Sequence, residues 1–278
     1  MKPPPFDYYA PETLEEAVEL LAQGDGARVL AGGQSLVQLM KFRLVKPAAL
    51  VDINRISGLD TIERREGELH LGALVRQQTL LEHELIADFC PLLREAAWFV
   101  GYEETRRQGT LAGSLAFAAP WAELTAAAVA LDAAIDIRSA RGERAIPARD
   151  FFRGPHETAL ELDELIVSVR FPVPAAGAGA AFHEVSTRHR DYAQLAAAAV
   201  VSPDGRAELV LLCVDATPYR LDATAAVSDE GALEELLSGI EPVDDVEASA
   251  AYRRRVAPVL ARRALREASA RAQATESV

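Results

Sequence analysis

Two short glycine-bearing loops constrain this chain more than any other feature. Ala31-Gly32-Gly33-Gln34-Ser35-Leu36 follows an apolar, strand-like run, Ala27 to Ala31, and leads into a run of helical character ending near Phe42. Gly109-Thr110-Leu111-Ala112-Gly113-Ser114 lies in a separate segment and is also followed by an apolar run. Consecutive backbone N–H groups in a glycine turn make a concave anion site, and glycine lets the main chain approach a phosphate with no Cβ in the way. A following helix adds the positive end of its dipole. Ser35, Thr110 and Ser114 supply hydroxyl donors. Two such loops can converge on one long phosphate-bearing ligand. Taken alone, each loop is more often an ordinary turn, because the chain contains neither a Walker sequence nor a G-x-G-x-x-G.

The pattern around the loops predicts an α+β protein of two domains. Thr13-Leu14-Glu15-Glu16 reads as a capping box, followed by Leu14, Ala17, Val18 and Leu21 at helical spacing and a stop at Gly24. Ala49 to Ile53 reads as a strand after Pro47. Thr61 to Arg65 and Glu68 to Leu71 predict a hairpin about Gly67. A helical stretch runs from about Gln77 to Gly101, broken near Pro91. A helix from Trp121 to Leu131, a strand from Ile135 to Ser139, a turn at Arg141-Gly142 and a strand from Leu165 to Phe171 follow. Pro174-Ala175-Ala176-Gly177-Ala178-Gly179 is the best linker. Beyond it, Ala181 to Thr187, Ala193 to Ser202 and Ala207 to Val214 predict a three-stranded antiparallel sheet. Helices at about Glu230 to Leu237 and Val246 to Ala270, the second kinked at Pro258, complete it. The expected division is 1–175, in lobes of about 1–57 and 58–175, and 176–278.

Composition removes several functions. A net charge of −13 over 278 residues argues against a nucleic-acid binder. Cys90 and Cys213 stand alone with no C-x-x-C, which excludes a self-contained four-cysteine iron–sulfur site and a disulfide framework and fits a reducing compartment. The first residues lack a signal-peptide stretch and no segment has membrane-span character, so the expectation is a cytoplasmic protein. The histidines, His70, His83, His156, His183 and His189, form no metal pattern and read as loop or surface residues. Ser114 is not in G-x-S-x-G. Arg253-Arg254-Arg255 and Arg262-Arg263 suit a polyanion, the chain's own acids or a neighbouring subunit.

The residues flanking the loops carry a resemblance. The run Ala31 to Leu44, with Pro47 and Leu50-Val51-Asp52-Ile53, resembles the first flavin-binding segment of the medium, FAD-binding subunits of molybdenum hydroxylases, the carbon-monoxide dehydrogenase and xanthine dehydrogenase family. Arg106, Gly109 to Leu115 and Pro120-Trp121-Ala122-Glu123-Leu124 resemble the second segment; Phe182, Arg188 and Asp191-Tyr192-Ala193 resemble the start of the family's C-terminal domain, and Arg262 to Leu265 its last helix. The resemblance runs through the whole chain in order. It implies a PCMH-type two-lobed FAD domain followed by a small C-terminal domain. Ala31 and the backbone of Gly32 to Leu36, including Gly33, Gln34 and Ser35, would cradle the FAD pyrophosphate. Thr110, Ala112, Gly113 and Ser114 would face phosphate or ribitol from the other side. Glu123 matches an acid near the ribose or adenine, and Phe99, Ile166, Asp191 and Tyr192 fall where family members line adenine and isoalloxazine. For Phe99, Ile166 and Tyr192 core packing is an equal reading.

Departures from the family pattern are Ala112 for the first of two usual glycines, Phe117 and Ala119 where His and Asp are common, and Glu184 where lysine is frequent. The resemblance further implies a small [2Fe-2S] subunit and a large molybdopterin subunit as partners in a dimer of heterotrimers. Electrons would pass from the clusters to this FAD and on to NAD, oxygen or a quinone, with no acid–base residue for substrate in this chain. Two alternatives stay open: an FAD-free assembly subunit of the same complex, and a stand-alone flavin oxidase.

Overall fold

The computed structural model describes residues 2–24 and 26–276. Alternation of strand and helix opens the chain: β1 (Asp7–Tyr9), α1 (Leu14–Gln23), β2 (Ala27–Leu30), α2 (Leu36–Lys41) and β3 (Ala49–Asp52). Helical crossovers force parallel pairing, and β3 sits between β1 and β2, parallel to both. Thr13 caps α1, its hydroxyl accepting from the Glu16 amide at 3.2 Å. The Glu16 carboxylate accepts from the Glu12 amide at 3.1 Å, one residue before the position a capping box uses. Ala17, Val18 and Leu21 bury the inner face of α1.

The predicted hairpin follows as β4 (Ile62–Arg65) and β5 (Glu68–Gly72). Its two turn residues, Glu66 and Gly67, have φ of 54° and 80°, the backbone of a type I′ turn. The helical stretch divides into α3 (Gln77–Glu82), α4 (Glu84–Phe89) and α5 (Pro91–Phe99). The additional break is at His83, whose ring accepts from the Leu85 amide at 3.3 Å and so starts a new helix. Then come α6 (Glu103–Gln108), α7 (Leu111–Phe117) and α8 (Glu123–Ala130). β6 (Ala134–Ser139), β7 (Gly142–Pro147), α9 (Ala148–Phe151), β8 (Phe152–Gly154), β9 (Glu157–Thr158) and β10 (Leu165–Pro172) end this part. A five-stranded sheet takes the order β4-β5-β10-β6-β7, antiparallel throughout.

The three predicted strands of the C-terminal part form as β11 (Gly179–Ser186), β12 (Ala193–Val201) and β13 (Ala207–Leu212). A fourth, β14 (Tyr219–Asp222), extends the sheet on the β13 edge. α10 (Glu230–Leu237) and α11 (Ala250–Glu276) follow, and α11 starts later than predicted because Asp244 and Asp245 accept from the amides of Ala250, Glu247 and Ala248. It runs through Pro258 as one helix.

Small side chains make this sheet a wall shared by two cores. Ala181, Ala197 and Ala199 pack with Ala261, Ala264 and Ala268 of α11. Phe182, Ala196, Ala198 and Leu212 point the other way, into the core built on α5 and α8. At Gly179 a Cβ would stand 2.0 Å from the Ala268 carbonyl oxygen, so α11 lies directly on the strand. Every residue of α8 is buried, which explains its alanine-rich sequence: a helix between two layers has no solvent face and little room. Arg253, 1% exposed, donates to the carbonyls of Gln194 and Val243 and to the Asp245 carboxylate, pinning α11 to the sheet. Arg254, Arg255 and Arg263 lie on the exposed face of α11. Among the described residues no helix is long and apolar enough to cross a membrane.

Candidate functional site: the cleft between the glycine loops

The two glycine loops meet. A Cβ on Gly32 would lie 2.1 Å from the Gln108 carbonyl oxygen and 2.9 Å from the Gly109 Cα, so only glycine permits this approach of main chain to main chain. A Cβ on Gly109 would lie 2.4 Å from Oε1 of Gln77. Gly33 has φ of 70°, the left-handed region that favours glycine. The carbonyls of Gly33 and Ser35 accept from the amides of Val37 and Leu39 at 3.0 and 3.1 Å, which turns the loop's oxygens into α2. α2 has six residues, so its contribution to an anion is its free terminal N–H groups, not a long dipole. In the second loop Thr110 caps α7, its hydroxyl accepting from the Gly113 amide at 3.0 Å. Main-chain bonds from Gln77 to Gly109 (2.9 Å) and from Leu111 to Val75 (3.0 Å) fix that loop against the start of α3.

A side-chain clamp holds the loops in register. Asn54 donates through Nδ2 to the Ala31 carbonyl at 2.8 Å and accepts at Oδ1 from Arg76 Nη2 at 2.7 Å. Arg76 Nη1 reaches the Gln108 carbonyl at 2.6 Å. Asp52 orients Asn54, accepting from its Nδ2 at 2.6 Å, and in turn accepts from the Tyr8 hydroxyl at 2.5 Å. Burial raises the Asp52 carboxyl, but the bonds from Tyr8 and Asn54 outweigh it and hold the group below the ordinary range. Asn54 and Arg76 went unrecognised in the sequence. They belong to no motif and meet only through the fold.

Between the loops lies a cleft of about 560 Å³. It brings together Ala31, Gly32, Gly33, Gln34, Ser35 and Leu36 with Thr110, Ala112, Gly113, Ser114 and Ile166. Ala112 lies in the first turn of α7, where its helical backbone accepts a methyl group without strain. Ile166 is both cleft wall and core, being 4% exposed. Phe117 and His156 also line the cleft, their rings 4.5 Å apart, and His156 donates its amide to the Ala118 carbonyl.

The remaining candidates stand outside this cleft. An aromatic run leads towards them: His156 to Trp121 at 5.8 Å, then Trp121 to Tyr192 at 5.0 Å, with Tyr192 exposed. Asp191 accepts from Arg188 Nε at 3.1 Å. Phe99 packs on Phe182 with centroids 5.5 Å apart. Glu123 is buried at the start of α8, and both carboxylate oxygens of Glu184 are sealed from solvent. Burial pushes both carboxyls above the ordinary range, with the Glu123 charge raising Glu184 further.

The model of the FAD binding domain in molybdopterin dehydrogenase matches residues 4–174. Over 291 aligned residues the chain is 39% identical to the 6-hydroxypseudooxynicotine dehydrogenase complex subunit alpha of Paenarthrobacter nicotinovorans, covering 99% of this chain and 98% of that protein. The chain is a medium subunit of the molybdenum hydroxylases. This flavoprotein subunit is also 34% identical to the carbon monoxide dehydrogenase medium chain of Afipia carboxidovorans, over 98% of its own length and 100% of the relative's. Its fold superposes on a chain of the carbon monoxide dehydrogenase structure from Hydrogenophaga pseudoflava with a TM-score of 0.92, at 33% identity and 98% coverage of this chain and 99% of the other. FAD is the cofactor of the domain. The site of this flavoprotein subunit suits a dinucleotide pyrophosphate: two glycine-bearing loops in main-chain contact, a hydroxyl-capped turn and a continuous cleft beside them.

Proposed function

We propose that this chain carries FAD between an iron–sulfur partner and an external electron acceptor in a molybdenum hydroxylase complex. The observation that carries the reading is the main-chain contact between the two glycine loops across one cleft. The amides of Gly32 to Leu36 hold one side of the pyrophosphate. Thr110, Gly113 and Ser114 hold the other, and Ala112 lies beneath. Ala31 gives its carbonyl to Asn54 and so keeps the first cradle aimed. Ile166 supplies an apolar wall. Phe99, Glu123, Glu184, Asp191 and Tyr192 form a second group at the junction with the C-terminal sheet, where we infer the ends of the dinucleotide are met. FAD, when bound, supplies the redox chemistry; the protein binds, orients and shields it.

The relatives are named as subunits or chains of dehydrogenases. By that likeness, a large subunit with molybdopterin oxidises the substrate, a small subunit carries [2Fe-2S] clusters, and the assembly is a dimer of heterotrimers in the cytoplasm. NAD, oxygen and quinones are the candidate acceptors. We also read the chain as two domains, 1–175 and 176–278. The test is the visible spectrum of the purified protein before and after heat release of its ligand. Oxidised-flavin bands with intact FAD released support the reading. A protein that stays colourless after FAD is added overturns it in favour of an FAD-free assembly subunit.

A further inference from the structure

We propose that His156 is a positioning residue for the flavin nucleotide, buckling the turn between β8 and β9 to the end of α7 so that two walls of the cleft keep a fixed spacing. The proposal rests on the role of that cleft in holding FAD. α7 lines the cleft with Gly113, Ser114 and Phe117, and β9 with the segment after it lines it with Thr158, Leu160 and Leu162. β8 and β9 pair only with each other, through Phe152 with Thr158 and Gly154 with Glu157. A two-stranded ribbon of this size is marginal alone and needs outside attachment. Its base has one: Phe151 and Phe152 are buried in the core, and the Phe151 carbonyl accepts from the Ala159 amide at 2.8 Å. Its tip, Pro155-His156, is fastened by His156.

The histidine makes two bonds to the end of α7. Its amide donates to the Ala118 carbonyl at 2.9 Å. Its ring Nδ1 lies 3.1 Å from the Phe117 carbonyl oxygen. A carbonyl only accepts, so this contact requires the ring proton on Nδ1. Both acceptors lie where α7 ends, and the last carbonyls of a helix have no partner within it. The ring also packs on Phe117 and stands edge-on to Trp121. Among the described residues no other hydrogen bond ties Pro155 or His156 to the rest of the protein. The turn itself does not call for histidine. Pro155 takes its first central position and His156 the second, with φ of 60°, the left-handed conformation that such a turn ordinarily assigns to glycine or asparagine. An uncommon backbone held beside a candidate site is an outlier from which function is inferred, and here what the histidine adds is the Nδ1 bond across the two walls.

Glycine and asparagine both fit the turn, so H156G and H156N separate the bond from the backbone. Asparagine keeps an N–H donor close to the Nδ1 position, and glycine has none. FAD is titrated into the flavin-stripped full-length chain and followed by flavin fluorescence. Hydrogen exchange of residues 153–158 is read in the same proteins without FAD. H156G is expected to bind FAD about tenfold more weakly, on the scale of one lost hydrogen bond, and to exchange faster at the tip. H156N is expected to stay within about threefold of the wild type. Faster exchange in H156G with unchanged FAD affinity makes the buckle merely structural and overturns the proposal. So does H156N binding as weakly as H156G, because the donor is then not the cause. A wild type that takes up no FAD overturns the reading on which the proposal rests; a wild type that binds FAD no better than H156G overturns the proposal alone.

Discussion

Gly32 is the residue with least freedom in the molecule's candidate site. The atom a Cβ would strike, at 2.1 Å, is a main-chain carbonyl oxygen that cannot rotate away. Gly32→Ala therefore forces the loops apart, at an overpacking cost of about 1–3 kcal/mol. It is expected to purify with little flavin; a variant with a full complement, measured as flavin absorbance per polypeptide, contradicts this. Gly33→Asp acts in the same direction, because it adds a carboxylate where phosphate is expected and a φ of 70° that aspartate adopts only at a cost. Ala112 predicts the opposite behaviour. It sits inside a helix, so Ala112→Gly adds about 1 kcal/mol of helix cost and no flavin retention. These positions were legible in the sequence because a glycine in a strand–turn–helix context already states its physical reason. The consequence of Ala112 was not legible, since it depends on where the helix starts.

At the scale of elements, the clamp of Asn54 and Arg76 binds the turn after β3 to the start of α3. Arg76→Ala leaves the Gln108 carbonyl without its donor and frees Asn54, a loss of roughly 1–3 kcal/mol in hydrogen bonding. FAD affinity, followed by titration of flavin fluorescence, is expected to fall about tenfold or more. Arg76→Lys should recover only part, because a point-charge ammonium cannot reach two acceptors as a planar fork does. An unchanged dissociation constant in Arg76→Ala rules the clamp out. Sequence reading found α1, the strands β2 and β3, the first hairpin, the glycine loops and the three central C-terminal strands, all of which carry strong periodicity or turn chemistry. It missed β1, β8 and β9, strands of two or three residues, and also β7 and β14. Gly142 to Ala145 of β7 are exposed, and Tyr219–Asp222 is a short edge with no fully buried position, so neither strand writes an apolar alternation into the sequence. It missed the clamp for a different reason: Asn54 and Arg76 are brought together by tertiary structure alone.

At the scale of the whole molecule, its charges define an acid limit and its chemistry defines its dependence on partners. Asp52, Glu164 and Asp245 are each raised by burial and lowered further by hydrogen bonds or by Arg144 and Arg253, ending below the ordinary carboxylate range. Their stabilisation is present above the unfolded carboxylate pKa and is lost as pH falls through their lowered folded values. The thermal midpoint should drop steeply below about pH 4, where carboxylates normally titrate. Asp52→Asn should flatten the part of that drop due to the clamp, and an unaltered acid limb would contradict its role.

Catalysis makes the stronger demand. Burial raises the Cys90 and Cys213 thiols to about 12, so neither is poised as a thiolate ligand. Among the described residues no group of three or more His, Cys, Asp or Glu is arranged to hold a metal ion. In the complex proposed above, hydroxylation belongs to another polypeptide. The purified chain, fully loaded with FAD, is expected to turn over neither carbon monoxide nor an N-heterocycle such as 6-hydroxypseudooxynicotine, the compounds for which its relatives are named. Activity should return only when the iron–sulfur and molybdopterin subunits are supplied together. Turnover by this chain alone, in metal-free buffer, would place substrate chemistry in the cleft between the glycine loops and dismiss the division of labour proposed for the complex.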